Sequence, residues 1–315
     1  MGACRLSAQL LGTCSSWQTL EVAMGALEGR VAIVTGAGRG LGRSHALALA
    51  AEGARVVVND RGARLDGSGG DQAPARGVVE EILAAGGEAI ASTEDVSDFE
   101  GGRRLVEATL ESFGALHVLV NNAGVLRDRA LFNLGDEDWD IVLRVNLKGH
   151  FVPTRFAAAY WRAEAKAGRV LDASIVNTSS TSGLVGNPGQ AHYGTAKAGI
   201  AAFTIIAARE LARYGVRVNA IAPAARTRMT ETSPGLARFF EAPDEPGAFD
   251  VWDPANASPL VAYLASRRCT VTGRVFHVLG GKVQLFEPWT LGASIEKNGR
   301  WTLPELAERI EELVD

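Results

Sequence analysis

The sequence Val31-Ala32-Ile33-Val34-Thr35-Gly36-Ala37-Gly38-Arg39-Gly40-Leu41-Gly42 joins a short apolar run to a cluster of glycines. An apolar run without polar alternation is typical of a strand that is buried on both faces of a parallel sheet. Glycines after such a strand let the backbone approach a ligand, and the following helix N-terminus offers free N–H groups to an anion. The stretch therefore predicts a strand, turn and helix that bind a dinucleotide pyrophosphate, although such turns also join ordinary strands and helices.

Similar apolar runs recur along the chain, with stretches of helical periodicity between them. The runs are Val56-Val57-Val58, Val118-Leu119-Val120, Ser174-Ile175-Val176, Val216-Arg217-Val218 and Val275-Phe276-His277-Val278, and the helical stretches include residues 44–52, 78–85 and 103–113. Repeated alternation of strand and helix predicts a Rossmann-type, doubly wound parallel α/β sheet. We expect a single domain over residues 27–315, with a C-terminal extension.

Three segments depart from this alternation. Residues 61–75 are rich in Gly, Asp and Pro and are predicted to form a long loop. Residues 230–253 contain three prolines and several aromatic side chains, which indicates a segment that covers the substrate. Thr302-Leu303-Pro304-Glu305 has the pattern of a capping box and predicts a final helix that runs through Leu313.

Residues 1–26 form a leader with no clear structural pattern. Its apolar run at residues 6–11 is too short and too polar to span a bilayer or to serve as a secretory signal. Three interpretations remain open: a disordered leader, an arm that packs on a neighbouring subunit, or an upstream start with Met24 as the natural beginning. We favour a dispensable segment.

Composition excludes several classes of function. The 315 residues carry 32 Lys and Arg against 36 Asp and Glu, a net charge of -4, with no long basic run. Nucleic acid and anionic membranes are therefore not expected partners. The three cysteines, Cys4, Cys14 and Cys269, match no metal or disulfide spacing, and the five histidines are dispersed. These features predict no metal site and suit a reducing cytoplasm.

Asp60 follows the apolar run at residues 56–58, at the offset where an acidic side chain accepts hydrogen bonds from the adenosine ribose. Its carboxylate would repel the 2′-phosphate of NADP and so favours NAD. Arg39 and Arg61 point the other way, since each could pair with a phosphate. We weight Asp60 more, because a desolvated contact between like charges is costly whereas exposed arginines can swing away. A loop or cap carboxylate is the alternative role.

Tyr193 and Lys197 are four residues apart, which places them on one face of a helix. A tyrosine with an ordinary pKa of about 10 is a poor base at neutral pH. A neighbouring ammonium, together with the positive charge of an oxidised nicotinamide, would favour the phenolate and lower that pKa. The same spacing is common on surface helices, so the pair alone does not identify a site.

Ser180 lies directly after the predicted strand at residues 174–176, and a loop with glycines leads from it to Tyr193. Strand ends and helix starts meet at the carboxyl edge of a parallel sheet, where ligands bind. We expect the Ser180 hydroxyl to hydrogen-bond the reacting oxygen while Tyr193 exchanges its proton, with Ser179 and Ser182 as alternatives. The reaction implied is reversible hydride transfer between an alcohol and a nicotinamide, whose ribose Lys197 also holds.

Three motifs, in this order, resemble signatures of the short-chain dehydrogenases/reductases: Thr35-Gly36-x-x-x-Gly40-x-Gly42, Asn121-Asn122-Ala123-Gly124 and Tyr193-x-x-x-Lys197. The resemblance implies that Ser180, not Ser179 or Ser182, is the catalytic serine. It also implies that Asn146 completes a proton relay through water and that Asn121 ties the central strands. The implied catalytic set is Asn146, Ser180, Tyr193 and Lys197. The implied cofactor contacts are Gly36, Arg39, Gly40, Leu41, Gly42, Asp60, Asp95, Val96, Asn122, Ala123, Gly124, Tyr193 and Lys197.

Several loops have a narrower resemblance. They are similar to the (3R)-hydroxyacyl-CoA dehydrogenase part of multifunctional β-oxidation enzymes, and to actinobacterial 17β-hydroxysteroid and hydroxyacyl-CoA dehydrogenases. The loops include residues 57–60, 124–129, 136–140, 186–190 and 226–232. The resemblance implies an NAD-dependent enzyme that acts on a 3-hydroxyacyl-CoA or a 17β-hydroxysteroid. It further implies a homodimer or homotetramer, with the helices at residues 151–163 and 200–214 between subunits.

Two features depart from that narrower group. Asn146 stands where the hydroxyacyl-CoA branch often has histidine, and residues 234–253 have no close counterpart. Arg226 and Arg228 could receive a CoA phosphate or pair with local carboxylates. The alternatives are an NADPH-dependent 3-oxoacyl carrier-protein reductase or other carbonyl reductase, and a non-catalytic NAD-binding redox sensor. Such sensors usually lack the tyrosine or the lysine, and this chain has both.

Overall fold

The computed structural model describes residues 25–64, 69–169, 171–227, 240–243, 245, 247–287 and 289–314. The predicted leader lies outside these residues except for its last two. Ala26 donates its backbone N–H to Glu52 Oε2 at 2.8 Å, so the described fold begins packed against the end of the first helix. Much of the predicted covering segment at residues 230–253 also lies outside the described residues.

The described strands form one sheet of eight, in the order β3-β2-β1-β4-β5-β6-β7-β8. They are β1 (Val31–Thr35), β2 (Arg55–Asn59), β3 (Ala89–Ser92), β4 (Val118–Asn121), β5 (Ala173–Thr178), β6 (Val216–Ala224), β7 (Val275–Leu279) and β8 (Lys282–Phe286). Strands β1 to β7 are parallel, and β8 runs antiparallel to β7. The strand order reverses between β1 and β4, and the carboxyl ends beside such a reversal form a crevice for ligands.

Helices cover both faces of the sheet. They are α1 (Gly40–Ala51), α2 (Ala73–Ala84), α3 (Phe99–Phe113), α4 (Asp136–Leu143), α5 (Gly149–Lys166), α6 (Thr181–Leu184), α7 (Ala191–Leu211), α8 (Ser258–Ala265) and α9 (Leu303–Arg309). One π-helical turn, Arg144–Lys148, joins α4 to α5. The doubly wound parallel sheet predicted from the sequence is therefore confirmed.

Successive side chains of the central strands enter two different cores, because they point to opposite faces of the sheet. Val34, Val58 and Val120 pack with α1, α2 and α8 on one face. Ile33 and Leu119, with other residues, pack with α3, α5 and α7 on the opposite face. Burial on both faces explains why these strands read as continuous apolar runs in the sequence.

Some elements differ from the sequence-based expectations. Strand β3 has the sequence Ala-Ile-Ala-Ser, which carries little β-branched signal, and β8 is almost entirely exposed at the sheet edge. The predicted loop at residues 61–75 ends earlier, because α2 begins at Ala73 with Pro74 in its first turn, a position that tolerates proline. The predicted capping box is present: Glu305 Oε2 accepts from Thr302 N and Oγ1, both at 2.7 Å.

Among the helices of the described residues, none combines the length and the hydropathy that a membrane span requires.

Buried histidines, among them His45 and His150, make the stability of the fold depend on pH. His45 on α1 and Ser258 on α8 share a hydrogen bond of 2.9 Å, and burial lowers the pKa of His45 to about 4. Burial also lowers the pKa of His150, on α5, well below its ordinary value. Below a pH of about 6.5 the unfolded chain therefore binds protons that the folded chain does not.

We expect the free energy of unfolding to fall as the pH drops from about 6.5 towards 4, by up to about 1.4 kcal/mol per pH unit for each histidine. Urea unfolding across this range measures the slope. His45→Asn keeps a polar group that can bond Ser258 but does not titrate, so it should reduce the slope. An unchanged slope in that variant would exclude His45 as a source of the pH dependence.

Candidate active site

The glycine-rich turn between β1 and α1 packs tightly against the loop after β4. A Cβ at Gly36, whose φ is 64°, would lie 2.8 Å from Ala123 Cα, and one at Gly42 would lie 2.2 Å from Gly36 O. Asn122 Nδ2 donates to Thr35 O at 3.0 Å and to Gly36 O at 3.1 Å. Gly36 and Gly42 are therefore required by contacts within the protein as well as by the approach of a ligand.

The first turn of α1 suits an anionic ligand. Arg39 precedes the helix in an extended conformation, and within the described residues no side chain caps this turn. Its first amides, at Gly40, Leu41 and Gly42, thus point from a helix N-terminus that favours negative charge. This cradle fits the pyrophosphate of a nicotinamide dinucleotide.

Asp60, at the end of β2, bonds the glycine turn directly. Its Oδ2 accepts from Gly38 N at 2.8 Å and its Oδ1 accepts from Gly62 N at 2.6 Å. A carboxylate has about four acceptor positions, so two remain for ribose hydroxyls. The alternative role as a loop carboxylate is therefore observed, and it leaves room for ribose binding.

The remaining predicted cofactor contacts lie near the same sheet edge. Arg61 Nη1 pairs with Asp95 Oδ2 at 3.1 Å, and Asp95 Oδ1 also accepts from Ser97 N at 2.9 Å. Val96, next to Asp95, is buried. Asn122, Ala123 and Gly124 follow β4, beside the glycine turn. Because Arg61 pairs with Asp95, Arg61 is a weaker candidate for the phosphate ligand that the sequence left open.

The Ser180 loop, the segment after β5 that includes the one-turn helix α6, packs tightly against α7. This contact brings Ser180 close to the helix that carries Tyr193. A Cβ at Gly183 would lie 2.4 Å from Ala198 N, and one at Gly194 would lie 2.9 Å from Ser182 O. Neither position has room for a larger side chain. The Ser180 hydroxyl accepts from Ser182 N at 3.2 Å, which leaves its own hydrogen available for donation.

Lys197 is buried on α7 beneath this loop. Its Nζ donates to Thr178 O, the last residue of β5, at 2.8 Å, and its backbone carbonyl accepts from Ser179 Oγ at 2.8 Å. Burial lowers the pKa of Lys197 to about 7. Because that value lies near neutrality, small changes in the surroundings decide whether this amine is charged.

The Tyr193 phenol lies beside Lys197, whose Nζ is 5.5 Å from the centre of the ring. Burial raises the pKa of Tyr193 to about 12; a side-chain hydrogen bond with Ser180 lowers it, and the charge of Asp128 raises it. The lowered pKa predicted from the sequence does not arise from the chain's own groups, because desolvation of the phenolate dominates. The charge of an oxidised nicotinamide would have to supply it.

Asn146 lies in the π-helical turn between α4 and α5, and such turns are frequent at functional sites. Its Nδ2 donates to Val125 O at 2.8 Å and to Val142 O at 3.0 Å. Its Oδ1 is buried and has no hydrogen-bond partner among the described residues. A Cβ at Gly124 would lie 2.6 Å from this oxygen, so Gly124 leaves the space that the amide occupies.

Comparison with known proteins agrees with this arrangement. The family model described as short chain dehydrogenase matches residues 30–235. The chain belongs to the short-chain dehydrogenase family. As such it is an oxidoreductase that acts on CH–OH groups with a nicotinamide dinucleotide.

Individual relatives have narrower names. The chain is 48% identical over 269 residues to hydroxyacyl-CoA dehydrogenase ChsB1 of Mycobacterium tuberculosis, covering 83% of this chain and 81% of that protein. It is 41% identical over 279 residues to mouse peroxisomal multifunctional enzyme type 2, covering 88% of this chain but 35% of that longer protein. A crystal structure of a short chain dehydrogenase from Mycobacterium avium matches with a TM-score of 0.82 and 52% identity, covering 92% and 96%. The resemblance to hydroxyacyl-CoA dehydrogenases predicted from the sequence is confirmed.

Other polar residues of this short-chain dehydrogenase were not singled out from the sequence. Thr35 Oγ1 accepts from Asn122 N at 2.9 Å and from Ala123 N at 3.1 Å, which fixes the loop after β4. His150 Nε2 accepts from Thr178 N at 3.3 Å and lies near Lys197. His150 follows Asn146 by four residues, and that helical spacing was the available signal.

Asn121 connects the central strands, as the family resemblance implied. Its Nδ2 donates to Asn177 Oδ1 on β5 and to Thr154 Oγ1 on α5, both at 3.0 Å. Asn177 Nδ2 in turn donates to Thr204 Oγ1 on α7 at 2.9 Å. This buried chain of hydrogen bonds runs from β4 to the helix that carries Tyr193 and Lys197.

Arg226 pairs with a local carboxylate, one of the two roles that the sequence left open. Its Nη2 bonds Asp250 Oδ2, and its Nη1 donates to Phe240 O at 3.0 Å. Arg228, the second candidate for a CoA phosphate, lies outside the described residues.

We expect the Tyr193 phenol to ionise at a pH of about 12 in the enzyme without cofactor, because burial disfavours the phenolate. Tyrosinate absorbance, measured as the difference between the wild-type enzyme and Tyr193→Phe, isolates this group from the other tyrosines. Added NAD should lower the midpoint through its positive charge. A midpoint of about 10, the ordinary value, in the free enzyme would contradict the effect of burial.

Proposed function

We propose that this enzyme oxidises a secondary alcohol with NAD, and that the alcohol is a 3-hydroxyacyl-CoA or a 17β-hydroxysteroid. The proposal rests above all on the close approach of the Ser180 loop to α7, which brings Ser180, Tyr193 and Lys197 together. The name of the Mycobacterium tuberculosis relative, hydroxyacyl-CoA dehydrogenase ChsB1, supports the acyl-CoA substrate. Turnover with (3R)-3-hydroxyacyl-CoAs and with 17β-hydroxysteroids distinguishes the two substrates.

Each side chain of the set has a distinct role. The Ser180 hydroxyl donates a hydrogen bond to the substrate oxygen, and the Tyr193 phenolate removes the hydroxyl proton from the alcohol. Lys197 holds the ribose of the nicotinamide and, when protonated, stabilises the phenolate by its charge. Asn146 completes the path by which the proton leaves through water. A bound nicotinamide would supply the acceptor for the hydride from the carbinol carbon, and these side chains would orient the alcohol and remove its proton.

The preference for NAD over NADP rests on Asp60. Its carboxylate has acceptor positions left for ribose hydroxyls but would repel a 2′-phosphate. Arg61 pairs with Asp95, so its charge is already partnered and it is a weaker candidate for binding a 2′-phosphate. Of the two arginines that could bind a phosphate, Arg39 remains. It is half-buried, and a single cation with solvent access offsets only part of the repulsion between Asp60 and a 2′-phosphate.

Exposed apolar side chains support a substrate with an extended apolar part. Leu131 and Phe132 after β4 and Val185 after β5 are 70%, 88% and 74% exposed. Their two loops meet where Arg129 N donates to Gly189 O at 2.9 Å. Exposed apolar side chains on two loops that meet are typical of a binding surface for an acyl chain or a steroid ring system.

We propose a homodimer or homotetramer built on α5 and α7. These helices leave Phe151 43% and Ile206 55% exposed, as expected for helices that pack against another subunit. Light scattering, which gives the molar mass in solution, distinguishes the homodimer from the homotetramer.

We propose a cytoplasmic location. The described cysteine, Cys269, is buried and free, as is typical of proteins in a reducing compartment.

Tyr193→Phe should lower kcat by about 10²- to 10⁴-fold, because it removes the group that exchanges the proton. NADH binding, measured by fluorescence titration, should persist because the fold and the glycine turn are unchanged. The assays use (3R)-3-hydroxyacyl-CoAs and 17β-hydroxysteroids with NAD and with NADP. Turnover retained in Tyr193→Phe would remove Tyr193 from the mechanism, and NADH binding without turnover of any of these alcohols by the wild-type enzyme would favour a redox sensor.

Asp60→Asn should reduce the preference for NAD, measured as the ratio of kcat/KM with NAD to that with NADP, by about tenfold, or about 1.4 kcal/mol. The amide keeps an acceptor for the glycine turn but removes the negative charge. Asp60→Ala should reduce the preference too and should also raise KM for NAD, since both turn contacts are lost. An unaltered strong preference for NAD in both variants would refute the role of Asp60, and a native preference for NADPH would favour the carbonyl reductase.

A further inference from the structure

The loop of residues 127–129, after β4, is anchored to α4 by three ion pairs, one with Glu137 and two that share Asp138. Arg127 Nη1 lies 2.9 Å from Asp138 Oδ1, and Arg129 Nε lies 3.3 Å from Asp138 Oδ2. The side chains of Arg127 and Asp138 are only 19% and 18% exposed. Solvent therefore screens this pair less than it screens a surface ion pair. A single carboxylate of α4 thus holds two side chains of the loop.

The same loop is joined on its other side to the start of α7. Gln190 Nε2 donates to Asp128 Oδ1 at 2.9 Å, and Arg129 N donates to Gly189 O at 2.9 Å. Gln190 is the residue before α7 and is 8% exposed. Glutamine is not among the preferred residues at this position, where a side chain usually caps the helix. Here the side chain bonds the neighbouring loop instead of its own helix.

The two anchored elements carry different members of the proposed catalytic set. Helix α4 continues directly into the π-helical turn that contains Asn146. Tyr193 is the third residue of α7, so a shift of Gln190 would move the first turn of the helix that carries the phenol. Between them in sequence, His192 is fully buried. Burial lowers the pKa of His192, with the charges of Asp138, Asp128 and Arg127 close by. The loop therefore connects the element of Asn146 with the element of Tyr193.

We propose that Asp128 and Gln190 are positioning residues: their hydrogen bond, held by the ion pairs of Arg127 and Arg129 with Asp138, fixes Tyr193 relative to Asn146. The inference rests on the proposed function, because it assigns a role that acts through Tyr193. A phenol displaced by a fraction of an ångström exchanges its proton less efficiently, since the reacting atoms must meet within a narrow range of distances.

Asp128 also acts on Tyr193 through its charge. This effect gives a measurable quantity, the pKa of the phenol, that a purely structural role would not change. Its negative charge disfavours the phenolate and raises the pKa of Tyr193. Among the described residues, Ser180 also faces the phenol through its hydrogen bond, and Lys197 lies beside the ring. Asp128→Asn retains an oxygen that can accept from Gln190 but removes the charge. Asp128→Ala removes both, and Gln190→Ala removes the donor alone.

We expect Gln190→Ala and Asp128→Ala to lower kcat by about 10- to 100-fold, with an unchanged Kd for NADH and an unchanged Tm. The double variant should lose no more than either single variant, because both changes break the same bond. Asp128→Asn should keep most of the wild-type kcat and shift the tyrosinate absorbance midpoint of Tyr193 to lower pH. That titration needs no substrate. Glu107→Gln, which breaks an exposed ion pair on α3, is the matched control and should change none of these quantities.

Wild-type kcat in Gln190→Ala and Asp128→Ala would overturn the proposal, as would losses that multiply in the double variant or that follow a lowered Tm. An unshifted titration in Asp128→Asn would remove the electrostatic part. These failures differ from failure of the proposed function. If Tyr193→Phe abolishes turnover while Gln190→Ala does not lower it, only the positioning role is refuted. If Tyr193→Phe retains turnover, the proposed mechanism itself is wrong.

Discussion

Contact between the loop after β5 and the first turns of α7 sets the distances within the site. Gly183 and Gly194 leave space for no side chain there, so backbone rests on backbone across the contact. Two hydrogen bonds also hold the segment after β5 to α7: Ser179 Oγ donates to Lys197 O, and Lys197 Nζ donates to Thr178 O. Because both elements begin at the carboxyl edge of the sheet, this contact places Ser180 within hydrogen-bond reach of Tyr193.

The surroundings of the site disfavour charge on its own residues. Burial lowers the pKa of the Lys197 amine to about 7 and raises that of the Tyr193 phenol to about 12. Both shifts favour neutral side chains, which avoids the cost of an isolated buried charge. A cationic ring bound beside the phenol would favour the phenolate by its charge. Burial of the two side chains thus makes their protonation responsive to what is bound, which is what proton exchange coupled to hydride transfer requires.

The sequence predicted the parts of the fold in which local pattern and tertiary burial agree. The apolar runs of β1, β2, β4, β5 and β6 are buried on both faces, so their composition alone marked them as strands. Strands β3 and β8 lie at the sheet edges, where fewer β-branched or buried residues are needed. The π-helical turn at Asn146 was not predicted, because one additional residue in a helix leaves no distinct mark on apolar periodicity.

Candidate site residues were predictable where the family spacing specifies them, and their supporting contacts were not. Gly183 and Gly194 have no motif of their own, since their need for a small residue arises from two segments that meet only after folding. His150 and the asparagine pair Asn121 and Asn177 likewise act through tertiary hydrogen bonds. A sequence pattern records which groups face a ligand, whereas the contacts that hold those groups depend on the packing of the whole sheet.

Asp60 shows why cofactor choice cannot be separated from the shape of the glycine turn. The carboxylate that would receive the ribose also accepts hydrogen bonds from Gly38 N in the glycine turn and from Gly62 N in the loop after β2, one on each oxygen. A substitution that admits a 2′-phosphate by removing this charge also replaces at least one of these two acceptor oxygens. Adaptation to NADP would therefore require a new acceptor for the backbone N–H groups in addition to a cation for the phosphate. The same residue thus ties specificity at the ribose to the geometry at the pyrophosphate.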